Sequence, residues 1–279
     1  MNAPTFSVII CSIDPWKFAQ TSQCYESLLA GFPHEIIGIH DARSLAEGYN
    51  RGLAQSSGQL LIFSHDDILI LDPEFGPKIH QRLQNFDLLG FSGTSRLVNG
   101  RWYSAGDDWI HGVVAHQHRG GINLSLYGVS PWPVVDNIQA IDGLCMMARR
   151  QVALETGFDA LTFDAFHLYD LDFSYSAWRA GKKLGVCCDI PLIHASTGAY
   201  DAKHKQYADR FVAKHAAALA ANAGCPTVRQ PDGAGGYFSS HHALLAAWQP
   251  DILQRAALAH QRSKTLFGSA TSEQADTER

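Results

Sequence analysis

Leu60-Leu61-Ile62-Phe63-Ser64-His65-Asp66-Asp67 is the stretch on which the reading of this chain turns. Its first four residues form an unbroken apolar run, the composition of a strand covered on both faces in a largely parallel sheet. The run ends in a histidine and two adjacent carboxylates. Outward from it, Phe6-Ser7-Val8-Ile9-Ile10-Cys11 and Glu35-Ile36-Ile37-Gly38-Ile39-His40 predict earlier strands, and Asp87 to Phe91 predicts a later one. Helix starts fall between them. Asp14-Pro15 offers a cap and a first-turn proline, and Ser44-Leu45-Ala46-Glu47 reads as a capping box. Leu45, Tyr49 and Leu53 then share one helical stripe, and Asp72-Pro73 opens a third helix. This alternation implies right-handed crossovers and an α/β fold, a mixed but mostly parallel sheet flanked by helices.

Beyond Gly93 the pattern dissolves. Gly93 to Val135 carries Trp102, Trp109 and Trp132-Pro133 without helical period, and predicts a long irregular segment of functional character. Order resumes with a strand over Gln139 to Ala148, a helix over Arg150 to Thr156, and a helix from about Asp170 to Ala180 that Gly181 ends. Leu184 to Cys188 and Ile190 to His194 supply the last strands. Ala202 to Ala221 is a helix by propensity. Cys225 to Ser240 reads as a Gly/Pro-rich connector, His241 to Arg262 as helical with a break at Pro250, and Ser263 to Arg279 as a disordered tail. The expected organisation is a main domain over 1–200, a C-terminal helical extension over 201–262 and a tail over 263–279.

Composition narrows the function classes. A formal net charge of -5 over 279 residues, with no long basic run, argues against nucleic acid as a partner. With 46% hydrophobic and 18% charged residues, a substantial core is expected. Six cysteines without a CxxC pair predict buried reduced thiols. No apolar stretch approaches the roughly 20 residues of a membrane helix, and no signal peptide is evident, so the expectation is a cytoplasmic protein. GxGxxG and GxxxxGK[ST] are absent, which excludes the usual dinucleotide and P-loop sites.

The chemistry-bearing residues cluster at element ends. His65-Asp66-Asp67 closes a buried strand, where open parallel sheets bind ligands. Neighbouring carboxylates raise each other's pKa unless a cation neutralises them, and a divalent ion with oxygen ligands does so; the alternative is a pair of solvated turn acids. Tyr169-Asp170-Leu171-Asp172 stands at a helix start, where Asp170 is either an N-cap or a general base, and Asp172 faces elsewhere. His194 ends the last strand as a ligand or as a satisfied histidine. His241-His242 lacks an i,i+4 ligand partner.

In this order the segments Ser7 to Ser12, Tyr49-Asn50-Arg51-Gly52, Phe63 to Asp67, Ile141-Asp142-Gly143, Gly157-Phe158-Asp159, Tyr169 to Phe173 and Ile193-His194 resemble the family 2 glycosyltransferases of GT-A fold, in particular the small branch with a His-x-Asp metal motif. The likeness spans about residues 5 to 200 and makes the main domain a nucleotide-sugar-binding catalytic domain. It implies a hexosyltransferase-type, inverting transfer from a nucleoside-diphosphate donor, with UDP as the expected nucleotide, to a hydroxyl of a saccharide or lipid-linked glycan. By the same resemblance Cys11, Ser12 and Asp41 line the nucleobase pocket, with Asn50 and Asp66 on the donor. Asp67, His65 and His194 are the ligands to Mn²⁺ or Mg²⁺. Asp142 lies by the donor sugar and Asp170 is the base. Apart from the resemblance, Trp102 and Trp109 suit either an acceptor wall, since indole faces pack against sugar rings, or the core of their own segment, and Asp172 is either acceptor-side or structural. Two residues depart from the family pattern: Cys11 replaces a proline, and Tyr169 replaces the glutamate before the catalytic aspartate.

Three rival readings stand beside this one. A sugar-phosphate nucleotidyltransferase calls for a Gly-rich, basic loop after the first strand, and Cys11 to Lys17 is a poor one. A non-catalytic carbohydrate- or nucleotide-binding module on the same fold is the second. The third concerns place: Leu244, Leu245, Trp248, Ile252 and Leu253 suit either packing or a peripheral contact with the inner membrane face.

Overall fold

The computed structural model describes residues 3–221, apart from 107, 119–120, 128–131, 191 and 197–200. In chain order the elements are β1 (Phe6–Cys11), α1 (Pro15–Leu28), β2 (His34–Ile39), α2 (Leu45–Gln55), β3 (Leu60–Ser64), β4 (Ile68–Ile70), α3 (Phe75–Arg82), β5 (Leu88–Gly90) and β6 (Ser92–Thr94). A 3-10 turn (Trp102–Ala105) leads to β7 (Ile110–His118), β8 (Gly121–Tyr127), β9 (Val134–Ile138), β10 (Ala140–Ile141) and β11 (Cys145–Arg149). The chain continues through α4 (Arg150–Thr156), α5 (Tyr169–Arg179), β12 (Leu184–Cys187), β13 (Leu192–His194) and α6 (Ala202–Ala221).

The local signals act where the sequence places them, with three adjustments. Asp14 caps α1, its side chain accepting from the Trp16 and Lys17 N–H groups. Ser44 caps α2 through the Glu47 N–H, but the Glu47 carboxylate reaches back to the Arg43 N–H, so the box closes one residue early. Asp72-Pro73 forms a turn in which Asp72 Oδ1 accepts the Glu74 N–H, and α3 starts only at Phe75. The expected strand over 139–148 breaks into β10 and β11 at Asp142 to Leu144.

A mixed seven-stranded sheet, ordered β2-β1-β3-β11-β5-β12-β9, forms the body. The β2-β1-β3 and β5-β12 pairings are parallel, whereas β11 joins β3 to β5 antiparallel to both. β3 is buried along its whole length, as its apolar run requires. Helices α2 and α5 cover one side of the body, where Tyr49, Phe63, Phe158, Tyr169 and Phe173 interlock; Phe158 stacks on Phe173 with centroids 4.2 Å apart. Tyr25 of α1 and Phe75 and Ile79 of α3 close a second core cluster.

The segment expected to be irregular, Gly93 to Val135, instead builds most of a second sheet, ordered β10-β6-β7-β13-β4, with β8 on β7. Its strands escape pattern reading because they are short or interrupted by glycine, which weakens strand propensity. Gly112 in β7 has φ 135°, and a Cβ there would lie 2.4 Å from the Phe91 carbonyl oxygen. At 65–67, 91, 139 and 142–144 the chain turns directly from one sheet into the other, so His65-Asp66-Asp67 and Asp142-Gly143 stand at sheet corners, whereas Tyr169-Asp170-Leu171-Asp172 opens α5.

α6 is an integral part of this body. Tyr207, Ala208 and Phe211 belong to the larger core cluster, so the core runs past residue 200. Buried Asp172 of α5 receives Lys214 Nζ and His215 Nε2, each 2.8 Å from Oδ1. The expectations for the connector, the second C-terminal helix and the tail fall outside the described residues. No helix among the described residues is long and apolar enough to cross a membrane.

Candidate active site

At the end of β3 the chain leaves the main sheet through His65, Asp66 and Asp67 and enters the second sheet as β4. The His65 N–H donates to the Leu144 carbonyl (3.0 Å), tying this corner to the one at 142–144. β13 pairs with β4, placing His194 opposite Ile68, and the Ala195 N–H donates to the Asp67 carbonyl (2.9 Å). As a result His194 Nε2 stands 3.2 Å from Asp67 Oδ1 and 3.4 Å from His65 Nδ1. One ligand atom from each of the three lies within 4.8 Å of the others.

The far nitrogen of His65 is anchored. Nε2 lies 2.8 Å from the Tyr169 hydroxyl, which donates to the Gly143 carbonyl at 3.2 Å. With that proton on the carbonyl, His65 Nε2–H donates to Tyr169 and the Nδ1 lone pair faces Asp67 and His194, the tautomer a metal ligand needs. Burial and then the charge of His194 push His65 down, keeping the imidazole neutral. Burial pushes Asp67 up, but the hydrogen bond and charge of His194, with His65 and Lys17 behind them, outweigh it and hold the carboxyl well below its usual range.

The second acidic motif is built differently. Leu168, at φ 62°, is the N-cap residue of α5, so Asp170 lies within the first turn and is not the cap. Its side chain turns back to the 142–144 corner, where Oδ2 accepts the Gly143 N–H at 2.7 Å. A Cβ on Gly143 would lie 2.4 Å from Tyr169 Oη and 2.5 Å from Asp170 Cβ, so the helix start approaches this closely only over a glycine. Asp142 Oδ2 accepts from the Trp102 indole N–H (2.9 Å), and Oδ1 from the Leu144 N–H (3.1 Å). Asp170 is half-buried and hemmed in by protein atoms. Burial, followed by the charge of Asp142, pushes its carboxyl up to about 7.

The remaining predicted residues divide into two groups. Ser12 donates to Asp66 Oδ2 at 2.6 Å, and the Thr21 hydroxyl donates to the Asp66 carbonyl at 2.6 Å, so Asp66 is fixed beside the β1 end. Cys11 is half-buried there, its thiol pushed up to about 12 by burial and therefore neutral. Asp41 is exposed and ion-paired to Arg51, which also reaches Glu47 at 3.3 Å. Asn50, by contrast, uses both ends of its amide on the Phe158 backbone, 2.7 Å and 3.1 Å away, and holds the loop after α4. Asp172 has both oxygens engaged by α6. Trp102 is buried under Tyr127 and supports Asp142, while Trp109 lies against the Arg96 guanidinium, 5.3 Å from its ring centre. The roles of Tyr169 and Gly143 escape sequence reading, since nothing local announces that a helix-start tyrosine reaches a histidine 104 residues earlier.

Residues 7–215, a span that includes both acidic motifs and His194, match the glycosyltransferase-like family. The chain belongs to that family. No curated protein sequence matches significantly. Among solved structures, similar folds include GalNAc-T7 with UDP, GalNAc and Mn²⁺ (TM-score 0.48, 12% identity, covering 76% of this chain and 48% of that one). Another is the mannosyltransferase PcManGT from Pyrobaculum calidifontis in complex with GDP-Man and Mn²⁺ (TM-score 0.47, 14% identity, 99% and 81% covered). A third is A197 from STIV (TM-score 0.41, 9% identity, 71% and 87% covered). This glycosyltransferase-like chain spans about half the length of the first of them.

Proposed function

We propose that this member of the glycosyltransferase-like family transfers a sugar from a nucleoside-diphosphate donor, with UDP as the expected nucleotide, to a hydroxyl acceptor, with inversion. The observation that carries the reading is the convergence of His65 Nδ1, Asp67 Oδ1 and His194 Nε2, with Asp170 linked to the same cluster through Tyr169 and Gly143. Two imidazole nitrogens and a carboxylate oxygen, one imidazole already fixed in the ligand tautomer, are a suitable donor set for Mn²⁺ or Mg²⁺. A divalent ion held there supplies positive charge to the departing diphosphate.

The chain's own groups account for the rest. Asp66, fixed through Ser12 and Thr21, keeps Oδ1 for a donor hydroxyl, and the neutral Cys11 thiol borders the nucleobase side. Asp142 is oriented by Trp102 toward the donor sugar. Asp170, with Oδ2 on the Gly143 N–H, offers Oδ1 as the base. The acceptor oxygen attacks the anomeric carbon, its proton passes to Asp170, and the bond to the diphosphate breaks with the electron pair leaving on the diphosphate oxygen. A single in-line displacement of this kind inverts the centre and needs no enzyme nucleophile. The acceptor class that suits the family is a saccharide or a lipid-linked glycan, and peripheral membrane contact belongs to the same proposal.

A thermal-shift and turnover screen of UDP- and GDP-sugars, each with Mn²⁺ and with chelator, tests this. Stabilisation by a nucleotide sugar only when Mn²⁺ is present is the expected result. Indifference to every nucleotide sugar under both conditions would remove the transferase reading.

A further inference from the structure

Asp66, Asp67, Asp142 and Asp170 all stand close to where a diphosphate must lie if the proposed transfer is correct, so the donor needs positive charge from the protein as well as from an ion. The first turn of α1 provides a source. The helix terminus itself is occupied, because Asp14 Oδ1 accepts from the Trp16 N–H (2.9 Å) and the Lys17 N–H (3.2 Å). The side chain of Lys17 is a different matter. One turn further along, buried Thr21 donates its hydroxyl to the Asp66 carbonyl at 2.6 Å, pinning that face of α1 to the 65–67 corner. Residues four apart share a helix face, so Lys17 lies on the pinned side, at the end nearer the Ser12–Asp66 hydrogen bond. Lys17 is half-buried, and its charge is felt at Asp67, yet it forms no salt bridge with any described carboxylate. A half-buried lysine on the helix face pinned to an acid cluster, with no salt bridge to it, is placed for an anion that arrives with the substrate. A lysine on a flexible stem is suited to phosphate oxygens as a point charge.

We propose that Lys17 is a donor-binding residue whose ammonium takes the diphosphate of the nucleotide beside the His65–Asp67–His194 cluster. This rests on the transferase reading above and adds a residue that neither sequence pattern nor family likeness singles out.

Calorimetry on the wild type, Lys17→Gln and Lys17→Arg, with Mn²⁺ alone, Mn²⁺ plus UDP, Mn²⁺ plus GDP, and uridine, tests it. Lys17→Gln should bind Mn²⁺ alone as well as the wild type or better, because a nearby positive charge is gone. It should lose about ten- to a hundredfold in affinity for the nucleoside diphosphate that the wild type binds, the range for a hydrogen bond to a charged group. Uridine binding and the unfolding midpoint should not move, and Lys17→Arg should restore most of the loss. Undiminished diphosphate binding by Lys17→Gln would overturn the assignment, as would an equal loss for uridine. A wild type that binds neither UDP nor GDP with Mn²⁺ would remove the transferase reading, and this assignment with it.

Discussion

The two acidic corners of this molecule hold carboxylates of the same type and give them opposite character. At the 65–67 corner, Asp67 is buried between two histidines and held well below the usual carboxylate range. At the 142–144 corner, Asp170 is hemmed in beside another aspartate, with a backbone N–H for support, and is pushed up to about 7. The first arrangement keeps a negative charge permanently available, as a cation ligand requires. The second keeps a carboxylate close to neutrality, as a proton acceptor requires. What separates them is the company each keeps: imidazoles in one case, a like charge in the other.

The sharpest way to break this contrast is to remove the proposed base and keep its shape. Asp170→Asn should lower turnover by roughly a hundred- to ten-thousandfold while leaving nucleotide affinity within about twofold; steady-state kinetics beside calorimetry would show it, and near-normal turnover would take Asp170 out of the base role. Tyr169→Phe attacks the link between the corners. Without its hydroxyl, His65 Nε2 loses its partner and the ligand tautomer is no longer fixed, so Mn²⁺ affinity should fall by roughly ten- to a hundredfold. Equal affinity in the two proteins would show that the hydroxyl does not orient the imidazole.

Gly143→Ala strikes both sides at once, since the new methyl meets Tyr169 Oη and Asp170 Cβ. A stability loss of about 1–3 kcal/mol, typical of overpacking, is expected in denaturant unfolding. A neutral result would mean that the corner has slack. The smallest effect is one of pH. As the proposed base Asp170 would act unprotonated, so kcat/KM should rise with pH through about 7 and level off above it. In Asp142→Asn the neighbouring negative charge is gone, ionisation of Asp170 becomes easier, and the acid limb should move to lower pH. A limb that stays in place would mean that burial alone sets the shift.

Much of this was legible in the residues. The apolar run at 60–63 and the capping residues Asp14 and Ser44 locate the first strands and helices, because the signals are local and dense. The His65-Asp66-Asp67 motif and Asp170 also stand out, each sitting at the end of a periodic element. The second sheet did not show, since β6 and β10 are two or three residues long and β7 is interrupted by Gly112, leaving too little periodicity to read. Nor did the difference between the two corners. Its causes, His194 reaching across 127 residues to Asp67 through sheet pairing and the packing of the α5 start that buries Asp170 beside Asp142, are products of tertiary structure. Contacts of Asn50 and Asp172 were equally out of reach of the sequence: Asn50 holds the Phe158 backbone and Asp172 holds Lys214 and His215 of α6.

Whether His65, Asp67 and His194 together hold a divalent cation, as proposed, is decided by Mn²⁺ titration of the wild type beside Asp67→Asn, followed by paramagnetic resonance of free Mn²⁺. One saturable site per chain is expected in the wild type, with affinity lowered by on the order of a hundredfold or more in the variant, beyond the range for losing an outer-shell partner alone. Equal Mn²⁺ uptake by the two proteins, or none by either, would contradict it.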